Sequence, residues 1–439
     1  MNKQILRLAI PNIISNISIP LLSSVDTALV GRMEEVYYLG ALAVAGMIFN
    51  VLYWGFGFLR MGTTGLTAVA FGASDRTQIS SVLYRAIITG GIASIGIIAL
   101  QLLILKAALF IVPASPEVQE YASIYFLIRI WDAPAVLALF VIQGWFLGMQ
   151  NAKYPMYITI FINLLNIGLN VYFIYGLGMR VEGVAYGTVI AQYCGLGLAI
   201  FLLFKTYAPN LVSIKREELL QAEALLKFFR VSRDIFIRTI SLIFTFAFFT
   251  IQSAAFGDDI LAVNTILLQF WHILSYGVDG FAFAVESISG KLIGQQKRTE
   301  FKKAVAYLFA WGIGLSLIIC LVFFLFQDQL LMIYTDNPEI IALAGTFFIW
   351  TMIAPFINSF CFIWDGIYIG ATATAPMRNS MMISSFLVYL PVFYILLPYF
   401  GNHALWIAML AYMTARGVTL LMYSQKHLFG SHVFGNHQS

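Results

Sequence analysis

The sequence predicts an all-α polytopic membrane protein of twelve transmembrane helices, arranged as two six-helix pseudo-symmetric lobes. Three observations predict it. Of 439 residues, 60% are hydrophobic and 10% charged, with a mean hydropathy of +0.85; a soluble domain is about 45–50% apolar and about 25% charged. Lys and Arg crowd alternate connections between the apolar runs. The chain also meets itself again after a shift of 221–222 residues. This composition excludes an ordinary soluble enzyme, a disordered chain and a nucleic-acid binder. The net charge of +4 matters less than where the charges sit.

A membrane helix needs roughly 20 predominantly apolar residues. Span 1 (7–31) carries Pro11, Asn12, Asn16 and Asp26 and lacks a small-residue cleavage site, so it reads as a retained span rather than a signal peptide. Spans 2 (38–71) and 3 (80–105) follow, and a sharp break at 112–116, centred on Pro113, precedes span 4 (117–147). Spans 5 (154–176) and 6 (183–207) complete the first half. The long connection 208–234 places Leu219, Leu220, Ala222, Leu225, Leu226 and Phe229 at helical spacing among Lys, Arg and Glu. That pattern predicts an amphipathic helix on the inner leaflet. Spans 7 (235–256), 8 (261–290) and 9 (303–326) open the second half. A break at 335–338 leads into spans 10 (339–369), 11 (379–400) and 12 (403–425). The domain reading is therefore an N-lobe at 1–207, a linker at 208–234, a C-lobe at 235–425 and a tail at 426–439.

Orientation follows from the basic residues. With the N-terminus in the cytoplasm, the inner segments hold 20 Lys and Arg, Arg85, Arg238, Arg378 and Arg416 among them; the outer ones hold Arg32, Lys106 and Arg180. Omitting one span would invert every later connection and destroy this bias. Both termini are expected inside, in a bacterial plasma (inner) membrane.

The repeat sets Ala133-Pro134 on Ala354-Pro355, Gly144 and Gly148 on Gly366 and Gly370, Pro155-Met156 on Pro376-Met377, and Gly55 and Gly72 on Gly277 and Gly294. Parallel six-span repeats are a common transporter plan, with a site enclosed by lobes that rock between inward and outward states. The paired glycines read as close helix contacts. Cys194, Cys320 and Cys361 lie in apolar runs without ligand spacing and read as small core residues.

Seven ionisable residues fall at membrane depth: Asp26, Arg60, Arg129, Asp132, Asp279, Glu286 and Asp365. Each costs about 2.5–3.5 kcal/mol at a lipid-exposed helix centre, so they are expected to face protein or water. Spacing supports this. Span 1 aligns Asn12, Asn16, Ser23 and Asp26; span 4 aligns Arg129, Asp132 and Gln143; span 5 aligns Asn163, Asn166 and Asn170. Span 8 aligns His272, Ser275, Asp279 and Glu286, and span 10 aligns Thr351, Asn358 and Asp365. Arg129 and Asp132, one turn apart, are expected to neutralise each other. His272 reads as a hydrogen-bonded interior histidine. The repeat sets Arg60 level with Ala282, between Asp279 and Glu286, which suggests an ion pair that closes an inner gate. Asp26 has no basic residue within two turns of its own helix, and among the acids it is the best candidate for reversible protonation. No G-x-x-x-x-G-K-[ST], H-E-x-x-H or T-V-G-Y-G stretch is present.

Further motifs make the chain familiar. They are Val25-Asp26-Thr27-Ala28-Leu29-Val30-Gly31-Arg32, Leu59-Arg60-Met61-Gly62-Thr63-Thr64-Gly65-Leu66-Thr67 and Gly144-Trp145-Phe146-Leu147-Gly148-Met149-Gln150-Asn151-Ala152. The second half adds Asn264 to Leu268, Ser275-Tyr276-Gly277-Val278-Asp279-Gly280, Ala284-Val285-Glu286 and Asp365-Gly366-Ile367-Tyr368-Ile369-Gly370-Ala371-Thr372. Together they make the chain resemble the multidrug and toxic compound extrusion (MATE) family of the MOP type, in particular its DNA-damage-inducible protein F (DinF) branch. The resemblance covers essentially the whole chain.

It implies an antiporter that expels organic, often cationic or amphipathic, compounds in exchange for protons, built as a V-shaped pair of lobes. Asp26 matches the family's coupling acid, and Gln143, Asn166, Asn170 and Thr188 match positions lining the N-lobe cavity. The substrate-binding set expected here is Gln143, Asn163, Asn166, Asn170 and Thr188. Some relatives carry an acid at the position of Asn170, and the sodium-coupled branch carries a glutamate in span 7, where this chain offers Gln252. Asp365 remains a candidate ion ligand, so a sodium-coupled exporter stays open, as does a lipid-linked-sugar flippase of the same superfamily. No enzyme activity, cofactor, metal or nucleic-acid partner is expected. Small organic substrates and membrane lipids are the expected partners of a monomer.

Overall fold

The computed structural model describes residues 1–31, 35–112, 114–219, 221–430 and 433–434. The expected features at Arg32, Pro113, Leu220 and the end of the tail lie outside these residues, as do the side chains of Ser23 and Tyr276. The described residues are helical, with no strand among them. Twelve helices are long and apolar enough to cross a membrane: Asn2–Thr27, Tyr37–Gly72, Arg76–Ala99, Pro116–Gly148, Lys153–Gly176, Val181–Tyr207, Leu225–Ala255, Asp258–Gly294, Arg298–Leu325, Pro338–Gly370, Thr374–Phe400 and Asn402–His427. The protein is a multi-pass membrane protein with the twelve spans its sequence predicts.

Side chains set some of the helix starts. Asp75 accepts from Gln78 N at 2.9 Å and opens span 3. Ser115 accepts from Val118 N ahead of span 4, and Asn337 accepts from Glu339 N at 2.9 Å ahead of span 10. Each cap satisfies a donor that a helix N-terminus leaves free. In both of the latter cases Pro follows at the first helical position, where no N–H is needed.

The chain divides into two compact units. Residues 14–228 form one and hold spans 2–6; residues 1–13 and 229–439 form the other and hold spans 7–12. Span 1 is shared. Its first residues group with the second unit because Gly280 lets span 8 approach the Ile13 backbone; a Cβ there would meet Ile13 N at 2.8 Å.

Inside each unit the packing repeats. In the first, span 4 packs on spans 2, 3 and 6, and span 5 on span 6. In the second, span 10 packs on spans 8, 9 and 12, and span 11 on span 12. Glycines set the register. A Cβ on Gly144 would strike Arg60 O, and one on Gly148 would meet Thr64 O at 2.9 Å. A Cβ on Gly366 would meet Ala282 O at 2.7 Å, and one on Gly370 would strike Glu286 O. All four pairs correspond at a shift of 222 residues (144 to 366, 60 to 282, 148 to 370, 64 to 286). The glycines are therefore close helix contacts, as their spacing predicts.

Several local expectations need correction. Span 3 ends at Ala99, and a separate apolar helix, Gln101–Ile111, follows. The connection is not one amphipathic helix: a short helix at Arg216–Leu219 stops, and a new one runs unbroken from Ala222 to Ala255. The apolar positions from Leu225 to Phe229 continue in phase into span 7, so they form its first turns. Asp234, at the edge of the expected linker, is fully buried; it accepts from Arg378 Nη1 at 2.7 Å and from Thr374 Oγ1 at 3.2 Å. Only Cys361 is a core cysteine; Cys194 is exposed and Cys320 half-buried, and all three are free. Past span 12 the chain folds back: Arg298 Nη2 donates to Phe429 O at 2.7 Å, and Phe429 and Phe434 each lie 5.6 Å from the Phe301 ring.

Candidate functional site

The first unit gathers its polar stripes into one chain of contacts. Asn170 on span 5 donates from Nδ2 to Asp26 Oδ1 at 2.8 Å and to Asn166 Oδ1 at 3.0 Å. Asn166 Nδ2 donates to Thr188 Oγ1 on span 6 at 3.1 Å, and that hydroxyl donates to Val184 O. Asn163, one turn earlier, donates to Ser18 Oγ at 3.0 Å and Ser18 O at 3.2 Å. The i, i+3, i+7 spacing in span 5 thus carries three amides along one line from span 1 to span 6. Asn166 and Asn170 are buried; Asp26 is half-buried, and the donor to its carboxylate, the Asn170 amide, is neutral. Gln143 is half-buried on span 4, beside the Gly144 contact.

A charged cluster stands in the same unit. Arg129 Nε lies 3.5 Å from Asp132 Oδ2, and the Tyr53 hydroxyl donates to Asp132 Oδ1. Arg129 Nη1 also donates to Tyr125 Oη at 3.2 Å, and its guanidinium sits 4.4 Å from the Phe49 ring centroid. The one-turn ion pair expected within span 4 is present. Arg60, on span 2, is half-buried, and its carbonyl accepts from Thr64 Oγ1 at 2.9 Å.

In the second unit the expected stripes separate into different environments. Asp365 is buried and accepts on Oδ2 from two arginines, Arg238 Nη2 at 2.8 Å and Arg416 Nη2 at 2.5 Å. Neither arginine is a loop charge: they are 7% and 1% exposed, which corrects their assignment to the inner connections. Setting these two aside, the sequence count becomes 18 on the expected inner side against three on the expected outer side, so the expected asymmetry persists. Asp365 follows Gln143 at the 222-residue shift that relates the glycine contacts, so matching positions carry a neutral amide in one unit and a doubly paired acid in the other. Thr351 and Asn358 are fully buried on the same span. Glu286 is buried and Asp279 half-buried on span 8. His272 is half-buried, 5.6 Å from the Phe246 ring.

Sequence reasoning missed a cluster that ties the ends of spans 7 and 8 to span 12. Asn264 Nδ2 donates to Ser253 Oγ at 2.8 Å and Asn402 Oδ1 at 2.7 Å, while its own Oδ1 accepts from Trp406 Nε1 at 2.9 Å. Asn402 and Trp406 stand one turn apart on span 12, but their partners Ser253 and Asn264 lie on other spans, so spacing within one helix does not mark the cluster.

Comparison with known proteins decides the family. The MatE family model matches residues 11–172 and again 235–395, one copy in each half. The chain belongs to the MatE family. It is similar to DNA damage-inducible protein F of Escherichia coli (strain K12), with 34% identity over 97% of this chain and 92% of that protein. Multidrug resistance protein MdtK of Proteus mirabilis is 24% identical over 95% of this chain and 94% of its own length. Among solved structures, a mutant of the Vibrio cholerae MATE transporter VcmN superposes with a TM-score of 0.89 at 19% identity, covering 98% of each chain. The twelve-helix MATE fold and the twofold MatE match account together for the sequence repeat.

Proposed function

We propose that this MatE-family protein is a proton-coupled antiporter that exports organic, often cationic or amphipathic, compounds by alternating access. The observation that carries the reading is the hydrogen bond from Asn170 to Asp26. It attaches a titratable carboxylate to a line of neutral amides and a hydroxyl, Asn170, Asn166 and Thr188, that can orient a substrate without a fixed charge. Gaining a proton changes what Asp26 offers Asn170, and so changes the line that would hold the substrate.

The other candidate acid supports protons over sodium. Asp365 already faces two guanidinium groups, and a cation there would compete with both. The relative named multidrug resistance protein fits a broad organic substrate class. Each proton moving down about 100 mV supplies about 2.3 kcal/mol, enough for roughly a 40-fold gradient of a neutral substrate. We place the chain in a bacterial inner membrane, as a monomer with both termini in the cytoplasm. Cysteines introduced at 327–337 should then label from the periplasm; exclusive labelling from the cytoplasm would reject that topology.

Reconstituted protein tests the coupling. A pH gradient imposed across proteoliposomes should drive transport of a panel of cationic dyes, and Asp26→Asn should abolish it while remaining folded. Normal proton-driven transport by Asp26→Asn would overturn the assignment. Transport driven by a sodium gradient alone would replace protons with sodium.

A further inference from the structure

Span 6 gives the amide line both its end and a seat within one turn. Thr188 Oγ1 accepts from Asn166 Nδ2 at 3.1 Å and donates to Val184 O at 2.9 Å. Gly187 stands next to Thr188, and a Cβ on it would strike Asn170 Oδ1 and lie 3.2 Å from Asn170 Cγ. Two flanking glycines keep spans 5 and 6 in the same antiparallel register. A Cβ on Gly183 would meet Phe173 Cβ at 3.0 Å, and one on Gly195 would strike the Ile162 side chain. Of these three contacts, the one at Gly187 meets a polar side-chain atom. Asn170 is fully buried, and its Oδ1 accepts no hydrogen bond. That oxygen lies instead where a side chain on Gly187 would begin, and Cα–H groups at helix interfaces are weak donors to such oxygens.

This seating sets the direction of the amide. Asn170 Nδ2 carries two hydrogens and serves two acceptors, Asp26 Oδ1 at 2.8 Å and Asn166 Oδ1 at 3.0 Å. Turned over, the amide would set its oxygen against both acceptors and its NH2 against a carbon. Asn166 is fixed as well. Thr188 gives its hydrogen to Val184 O, so Asn166 must present Nδ2 to Thr188 and Oδ1 to Asn170. Every group from Val184 O to Asp26 Oδ1 therefore has one orientation.

We propose that Gly187 is a positioning residue for proton coupling: its bare Cα seats the Asn170 oxygen and so turns both amide hydrogens toward Asp26 and Asn166. The proposal rests on the reading of Asp26 as the coupling acid. Asp26 Oδ1 accepts from Asn170 whether or not the acid is protonated. A proton from the outer water forms its O–H bond at Oδ2, and leaves from Oδ2 to the inner water. The bond to Asn170 is charge-assisted while Asp26 is ionised and weaker once it is protonated, which is how the line senses the proton.

The test reads the amide directly. Solid-state NMR of the full-length protein in proteoliposomes, labelled with 15N in its asparagine side chains, gives an Asn170 signal assigned by its loss in Asn170→Ala. Asp26→Ala, which removes the acceptor, marks where that signal moves when the bond is lost. Gly187→Ala should displace the signal, and Gly195→Ala, which crowds the same helix pair at Ile162, should leave it in place. Proton-driven dye transport should fall roughly tenfold in Gly187→Ala, the effect of losing one to two hydrogen bonds. Asn170→Ala removes the oxygen that the new methyl would strike. Gly187→Ala added to Asn170→Ala should therefore lower transport no further.

An Asn170 signal at its wild-type position in Gly187→Ala would overturn the proposal. So would a further loss of transport in the double variant, since Gly187 would then act through helix packing. If Gly187→Ala does not fold, the double variant should fold, and its failure to do so would overturn the proposal equally. Proton-driven transport that persists in Asp26→Asn would instead overturn the coupling reading, while the NMR signal still decides whether Gly187 positions Asn170.

Discussion

Asn170 Nδ2 lies 2.8 Å from Asp26 Oδ1, a hydrogen bond that joins span 5 to span 1 across 144 residues of sequence. The same amide nitrogen reaches Asn166 Oδ1, so Asn170 is shared between the carboxylate and the amide line behind it. Any change in what Asp26 accepts is felt at Asn166 and Thr188, because the next bond in the line starts from Asn166.

Substrate affinity should therefore depend on the line more than stability does. Asn166→Ala combined with Asn170→Ala removes two amides and leaves Thr188 Oγ1 bonded to Val184 O. Each lost neutral hydrogen bond costs about 0.5–1.5 kcal/mol, so dye affinity should fall roughly tenfold or more while the folded yield changes little. Unchanged affinity across a panel of dyes would move the binding site elsewhere.

The triad at Asp365 makes a stability prediction with a definite order. Asp365→Asn leaves Arg238 and Arg416 facing each other without a counter-charge. Breaking a buried pair by removing one partner costs roughly 3–5 kcal/mol. Asp365→Asn with Arg416→Gln restores the original excess of one cation, and should be more stable than Asp365→Asn alone. Thermal unfolding in detergent measures the order; a double variant less stable than the single acid variant would show that the arginine contributes through packing instead.

Gly144 on span 4 and Gly370 on span 10 each present their helix to a carbonyl of the neighbouring span. An added Cβ would collide with backbone atoms, which do not yield as a flexible side chain does: Arg60 C and Cα lie 3.1 Å away, and Glu286 C lies 3.0 Å away. Gly144→Ala and Gly370→Ala should each destabilise by about 1–3 kcal/mol. Gly91 and Gly96, which have nothing within 4 Å of a Cβ, provide the contrast. There the same substitution adds helix propensity of up to about 1 kcal/mol. Equal thermal shifts at all four positions would remove the packing explanation.

Much of this architecture is legible in the sequence because membrane helices announce themselves locally. Twenty apolar residues, a Pro after Asn337 or a stripe at i, i+3, i+7 can each be read without knowing what lies opposite. The pairing of Asn166 with Asn170 belongs to this kind, since both stand on one face of one helix. Arg238 and Arg416 belong to the other kind. They are separated from Asp365 by 127 and 51 residues, and a basic residue near the inner end of a span satisfies the orientation rule equally well in a loop or in the core. Their partner depends on the packing of three spans, which local spacing does not encode. The boundary of span 7 failed for a related reason. An amphipathic turn and the first turn of a membrane helix have the same period, and only the continuous helix from Ala222 distinguishes them.

The connection between the halves is pinned by Arg85. This buried arginine donates from Nε to Leu219 O at 3.0 Å and from Nη2 to Glu218 O at 2.7 Å, while Ser80 Oγ accepts from Val212 N at 2.9 Å. The fork of the guanidinium takes two adjacent carbonyls at the end of a four-residue helix, a geometry a lysine cannot reproduce. Lys215 and Arg216 lie within the pinned stretch and offer trypsin a cleavage point. Hydrogen bonds from a charged group contribute about 1.5–3 kcal/mol each, so losing this grip should raise the open population at least about tenfold. Arg85→Lys and Arg85→Gln should both be cut near 215–216 at a correspondingly higher rate, with the twelve spans still folded and the product separating into two fragments. Cleavage of Arg85→Lys at the wild-type rate would show that charge alone holds the segment, and equal rates in all three proteins would show that Ser80 and packing hold it without Arg85.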